Sequence, residues 1–168
     1  MVASLGLTLY HLATRRETRP NGLWPARPNG RLIWLHAPSI DATKAMAELA
    51  RRIAEEDGHP VLITSATTPI GPALHIPPPG DSYAEWKAVL DRWQPDAILM
   101  ADGEMRPSVL QEAAERRIPM ALVNGRPPAI FRDRDGWYPG LLRGSLALFQ
   151  QVFAVDEVHR DAITLSHV

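Results

Sequence analysis

Four short polar clusters in this 168-residue chain carry the residue types that do chemistry, and each comes at the end of an apolar, strand-like run. "RLIWLHA" leads to His36, Ser39 and Asp41, and "PVLITS" to Thr64, Ser65, Thr67 and Thr68. "DAILMA" leads to Asp102 and Glu104, and "PMALVN" to Asn124 and Arg126. Such a lining is mixed in charge and rich in hydroxyls. It suits a sugar or a phosphorylated sugar better than a flat apolar cofactor. A carboxylate set against a ligand hydroxyl can act as a general base, an effect of roughly 10²–10⁴-fold.

Each cluster also has a plainer use. Ser39 or Asp41 can cap the helix that starts near Ala42, worth about 1 kcal/mol. Asp102 and Glu104 precede a helix start, where negative charge is mildly favoured, and Gly103 between them lets both point into one crevice. Asn124-Gly125 is an ordinary turn pair, and Arg126 then a surface residue. His36 reads first as a hydrogen-bonded structural histidine. Several familiar sites are missing: there is no GxGxxG after a strand, no GxxxxGK[ST], no GxSxG and no histidine pair at metal-ligand spacing. No cofactor and no metal are expected.

The elements that would position these residues alternate along the chain. "ATKAMAELARRIAEED" places Met46, Leu49, Ala50 and Ile53 on one helical face, and "SYAEWKAVLDRW" does the same for Tyr83, Trp86, Val89, Leu90 and Trp93. Pro107 opens "PSVLQEAAERR", where its missing N–H costs nothing. A short run lies around Leu74 to Ile76. "PGLLRGSLALF" reads as a helix, "QVFAV" as a last strand and "DEVHRDAITL" as the start of one more helix. Strands of five or six residues alternating with helices imply right-handed βαβ units. The fold class is therefore α/β, a Rossmann-like three-layer parallel sheet, whose ligands bind beyond the carboxyl ends of the strands.

The bulk numbers fit one domain. A chain of this length buries roughly 70% of its unfolded surface and needs no disulfide or metal to fold. Cysteine is absent, which excludes thiolate zinc sites and cysteine nucleophiles. Eighteen Lys plus Arg balance nineteen Asp plus Glu, so no basic field for nucleic acid exists. The opening "MVASLGLTLYHLAT" has Leu5, Leu9 and Leu12 at helical spacing but is shorter than the ~20 apolar residues that span a bilayer. Arg15, Arg16 and Arg19 follow, which suits a helix lying on anionic lipid. The plainer reading packs that helix on the domain's own core.

"RPNGRLIWLHAPSIDA", "VLITSATTPIG", "VLDRWQPDAILMADGEMRPSVL" and "RRIPMALVNGRP", in this order, resemble the amino-terminal half of 3-deoxy-D-manno-octulosonate (Kdo) transferases from about Arg27 to Arg160. The resemblance implies the N-terminal half of a GT-B glycosyltransferase that transfers Kdo from CMP-Kdo to a lipid A precursor in lipopolysaccharide biosynthesis. Residues 1–30 then form an N-terminal helix and linker, and 31–168 the Rossmann-like acceptor-binding domain. CMP-Kdo would bind a C-terminal domain absent from this chain, which alone is not expected to turn over. The expected place is the cytoplasm, with peripheral contact of the first helix at the cytoplasmic face of the inner membrane as the alternative.

The family's loop after the first strand reads H-A-x-S-V-G-E, its Glu the base; here it reads His36, Ala37, Pro38, Ser39, Ile40, Asp41, Ala42. The base position is Ala42, and Asp41, one residue early, is the candidate replacement. The family's E-x-E-L-W-P-N becomes Asp102, Gly103, Glu104, Met105, Arg106, Pro107, Ser108, and N-A-R becomes Asn124, Gly125, Arg126. The resemblance thus implies Ser39, Asp102, Glu104, Asn124 and Arg126 as acceptor-binding residues. The lost Glu leaves a second class open: a non-catalytic α/β module that binds a glycolipid, sugar phosphate or protein partner through the same edge. A response-regulator receiver fits less well, because the acidic pair after the first strand is missing.

Overall fold

A computed structural model describes residues 24–79, 83–103, 106–125 and 141–154. The expected helices at the two ends of the chain, and Glu104 and Arg126, lie outside the described residues. Six parallel strands form one sheet: β1 (Ile33–Ala37), β2 (Val61–Ser65), β3 (Leu74–Ile76), β4 (Ala97–Ala101), β5 (Met120–Gly125) and β6 (Gln151–Ala154). Their order is β3-β2-β1-β4-β5-β6. The chain runs outward from β1 in one direction and then crosses back to β4, so the connections diverge between β1 and β4. That divergence opens a crevice at the carboxyl edge, where such sheets bind ligands. The short run at 74–76 is thus a true edge strand, which makes Ala97–Ala101 the fourth strand.

The helices are α1 (Ile40–Arg52), α2 (Tyr83–Trp93), α3 (Pro107–Glu115) and α4 (Leu141–Leu146). α1 continues through a π-helical turn, Ile53–Asp57, and stops at Gly58, whose φ of 68° is the left-handed conformation that ends helices. Strand alternation divides the core between two faces. On one, Leu32, Trp34, Leu62, Ile98 and Met100 meet Trp86, Val89, Leu90 and Trp93 of α2 and Val109, Leu110 and Ala113 of α3. On the other, Leu35, Ala37 and Ile63 meet Ala42, Met46 and Ala50 of α1. Of the helical faces read from the sequence, Met46, Ala50, Trp86, Val89, Leu90 and Trp93 are buried, and Leu49, Ile53 and Tyr83 are half-buried.

Arg27 ties the incoming chain to the domain. Its Nε donates to the Trp93 carbonyl at 2.7 Å and its Nη1 to the Pro28 carbonyl at 2.9 Å. Nη2 reaches the Gln94 carbonyl at 3.2 Å and Asp96 Oδ2 at 3.4 Å. The same Asp96 oxygen accepts from Leu32 N at 2.8 Å, at the entry to β1. A cation on the last carbonyls of α2 also suits the helix dipole. Arg27→Ala is expected to cost about 2 kcal/mol in urea unfolding, since several charge-assisted bonds are lost together. A change below ~0.5 kcal/mol would show that water replaces them at no loss.

Candidate functional site

The carboxyl edge is built from the ends of β1, β4 and β5. Cα register places Ile33–His36 of β1 beside Ala97–Met100 of β4, and Ile98–Ala101 beside Met120–Val123 of β5. The next residues of the three strands therefore emerge side by side. Ser39 Oγ donates to Asp102 Oδ2 at 2.8 Å, and Asn124 Nδ2 donates to Asp102 Oδ1. Three residues far apart in sequence thus meet over the β1–β4 crevice.

The backbone at this edge is unusual. Asp102 has φ 60°, Gly103 80° and Asn124 54°, all in the left-handed region. Asp and Asn are the side-chain-bearing types that tolerate it best, but each still stores strain of order 1 kcal/mol. Asp102 N donates to the Val123 carbonyl at 3.2 Å, which joins the two turns. Such strain persists where surrounding bonds over-determine it, and functional edges are where it collects.

Ser39 does two things at once. It is the N-cap of α1, its Oγ accepting from Ala42 N at 3.1 Å, while its proton goes to Asp102. Its carbonyl accepts from Thr43 N at 2.9 Å and Thr43 Oγ1 at 2.8 Å. The cap read for this residue from the sequence is present, and the same hydroxyl also bridges to the loop after β4.

Asp41 and Ala42 part company on the helix. One residue is about 100° of rotation, and it turns Asp41 out and Ala42 in. The Asp41 carboxylate is 96% exposed and lies 3.6 Å from Lys44 Nζ. Ala42 is 6% exposed and packs under the sheet's edge. The structure gathers Ser39, Asp102 and Asn124, and it places the Asp41 carboxylate on the solvent side of α1.

His36 and the β2 hydroxyls serve the interior. Thr64 Oγ1 accepts from Trp34 Nε1 at 2.9 Å and lies 2.8 Å from His36 Nδ1. Burial first, and then the Arg106 guanidinium, hold the His36 pKa down at about 3. It is a neutral imidazole at ordinary pH. Ser65 Oγ donates to the Thr67 carbonyl at 2.7 Å. Below the edge Trp86 stacks on Trp34 with centroids 5.7 Å apart, and meets His36 edge-on at 6.0 Å. Arg106, at the start of α3, sits over the Trp86 ring at 5.4 Å.

A groove of about 390 Å³ runs along the outer flank of α1, between Thr43, Lys44 and Ala47 and the loop Thr67–Ile70. Ile40 and Ile70, 62% and 94% exposed, border it. Arg51 also borders it, bound to Glu48 at 2.7 Å and to Glu55. None of the four polar motifs of the sequence marks this groove apart from Thr67 and Thr68. Its signal in the sequence was Ile70, set among threonines, proline and glycine where a loop has no core to fill. Among the described residues no group of three or more His, Asp or Glu side chains is placed to hold a metal, and no helix is long and apolar enough to cross a membrane.

A six-stranded parallel sheet with its polar constellation over the β1–β4 crevice defines a Rossmann-like α/β protein. Solved structures share this fold: UDP-GlcNAc 2-epimerase from Neisseria meningitidis bound to UDP-GlcNAc matches with TM-score 0.52 at 15% identity, over 82% of this chain and 43% of that one. The UDP-GlcNAc 2-epimerase from Methanocaldococcus jannaschii matches with TM-score 0.52 at 12% identity, over 82% and 43%. At such identities the likeness is one of fold alone.

The family is fixed by sequence. The model of the 3-deoxy-D-manno-octulosonic-acid transferase (kdotransferase) family matches residues 11–166, and the chain belongs to that family. A 3-deoxy-D-manno-octulosonic acid transferase of Bordetella pertussis is 30% identical over 168 aligned residues, covering 83% of this chain and 39% of the relative. A probable mitochondrial 3-deoxy-D-manno-octulosonic acid transferase of Arabidopsis thaliana is 30% identical over 111, covering 60% and 25%. The chain thus spans between 25% and 39% of the lengths of these relatives.

Proposed function

We propose that this chain is the acceptor-binding half of a Kdo-transferase-like glycosyltransferase, holding a lipid A precursor for transfer of Kdo from CMP-Kdo. The observation that carries the reading is the Ser39–Asp102–Asn124 constellation at the β1–β4 crevice, in a chain of this family. The groove beside α1 supports it: apolar Ile40, Ala47 and Ile70 suit an acyl chain, and Lys44 a phosphate. Glu104 and Arg126 join the acceptor-binding set by their place in the sequence. CMP-Kdo belongs to a second half.

A second reading, a non-catalytic glycolipid- or sugar-phosphate-binding module, draws on one observation. At the family's base position Ala42 offers only a methyl group, and the Asp41 carboxylate beside it faces solvent next to Lys44. Both readings need the edge to bind a ligand. The test is an amide-shift titration with a phosphorylated acyl-disaccharide and, separately, CMP-Kdo. The expected result is shifts at 36–44, 102–103 and 124 with the disaccharide and none with CMP-Kdo. A folded chain silent to the disaccharide would sink the proposal.

A further inference from the structure

The hydrogen-bond directions at the crevice leave it rich in outward acceptors. Ser39 Oγ accepts from Ala42 N, so its single proton is committed to Asp102 Oδ2. Asn124 commits an amide N–H to Asp102 Oδ1, which fixes the amide's orientation and turns its carbonyl oxygen away from the carboxylate. Each Asp102 oxygen keeps a free lone pair after accepting one bond. The Asn124 carbonyl oxygen has no partner among the described residues, and Asn124 is exposed. Nor does any described cation lie within ion-pair distance of Asp102. The Asp102–Asn124 rim therefore offers a ligand carboxylate lone pairs, the amide carbonyl and the second amide N–H of Asn124.

Acceptors with no described cation beside them favour neutral donors. A phosphate placed there would meet the Asp102 carboxylate charge, which the single remaining Asn124 N–H does not offset. A sugar hydroxyl can both donate to Asp102 and exchange a bond with the Asn124 amide, on two side chains held by left-handed turns. We infer that Asp102 and Asn124 bind a neutral, hydroxyl-bearing face of the acceptor sugar, and that Asp102 rather than Asp41 takes the hydrogen bond of its hydroxyl. Phosphate and acyl groups are left to the α1 groove with Lys44. This deepens the acceptor-binding reading and rests on it.

The test separates hydroxyl recognition from everything else on the ligand. The probe is a neutral, N-acetylated β-linked disaccharide with no phosphate and no fatty acyl chain, titrated into the full chain and followed by amide shifts, with inorganic phosphate as the opposite probe. The wild type is expected to show shifts centred on 39, 102–103 and 124 with the disaccharide, and none there with phosphate. Asp102→Asn is expected to weaken binding at least tenfold, and Asp41→Asn to stay within twofold. Asn124→Gly, which keeps the left-handed turn while removing the amide, is expected to weaken it several-fold and decides the matter should Asp102→Asn misfold. If the wild type binds but Asp41→Asn is the damaging change, or phosphate shifts Asp102, the inference is overturned and the acceptor reading stands. If the folded wild type binds neither this disaccharide nor the acylated one, the acceptor reading falls and the inference with it.

Discussion

Trp86→Ala is expected to remove roughly 3–5 kcal/mol of stability, the range for deleting a large aromatic side chain from a core. Trp86 is fully buried in the larger of the two clusters. Its ring also makes three specific contacts: Trp34 stacked at 5.7 Å, His36 edge-on at 6.0 Å and the Arg106 guanidinium at 5.4 Å. An aromatic pair adds about 0.5–1.5 kcal/mol beyond the buried area, and a cation over the ring a comparable amount. A domain's whole stability is about 5–15 kcal/mol, so the variant should be near its threshold, with Tm lower by roughly 10 °C or more. Trp86→Phe keeps a stacking face and should lose less than half as much. Urea and thermal unfolding of both variants check this. A loss under ~1.5 kcal/mol for Trp86→Ala would mean that the site collapses around the cavity.

The same ring explains why a destabilising change here would be felt at the site. Arg106 is the N-cap residue of α3, and its Nη1 also donates to the Pro79 carbonyl at 3.3 Å. His36 is the penultimate residue of β1, three before Ser39. The aromatic stack thus braces the two segments that end at Ser39 and begin just after Asp102. Packing beneath the sheet and geometry above it are one problem.

Much of this architecture was readable because its signals are local. Apolar runs marked β1, β2, β4, β5 and β6, and helical spacing marked the faces that α1 and α2 bury. Pro107 does open α3. The three-residue β3 carried too little pattern to be read as a strand, because pairing with Leu62–Thr64 of β2 defines it. The site was legible only as a roll of polar residues. Ser39 and Asp102 are 63 positions apart and Asp102 and Asn124 are 22 apart, so strand register brings them together where no motif could. Helix phase decided that Asp41 turns outward and Ala42 inward, and a single residue's error at the α1 start would have reversed it. Thr64 was placed with the ligand-facing hydroxyls, yet its partners Trp34 and His36 share its face of the sheet and draw it inward.

His36 should make the fold acid-sensitive in a window set by its own shift. An unfolded histidine takes up a proton near pH 6.5, whereas His36 in the fold does so only at about 3, because burial and then the Arg106 charge oppose it. Above pH 6.5 both states are neutral there and the full stability is present. As pH falls below that, the unfolded state binds a proton that the folded state refuses, and stability drops by about 1.4 kcal/mol per pH unit until the folded pKa is reached. By pH 4.5 the loss from this group amounts to roughly 3 kcal/mol. Urea unfolding from pH 7.5 to 4.5 should show that slope, and His36→Gln should flatten it even if the variant starts lower at pH 7.5. The imidazole resonances of His36 should stay those of a neutral ring down to about pH 4. A midpoint near 6.5 for that ring, or an acid slope unchanged in the variant, would place the proton uptake on another group. The Trp34–Thr64–His36 chain under β1 would then be a packing feature with no electrostatic cost.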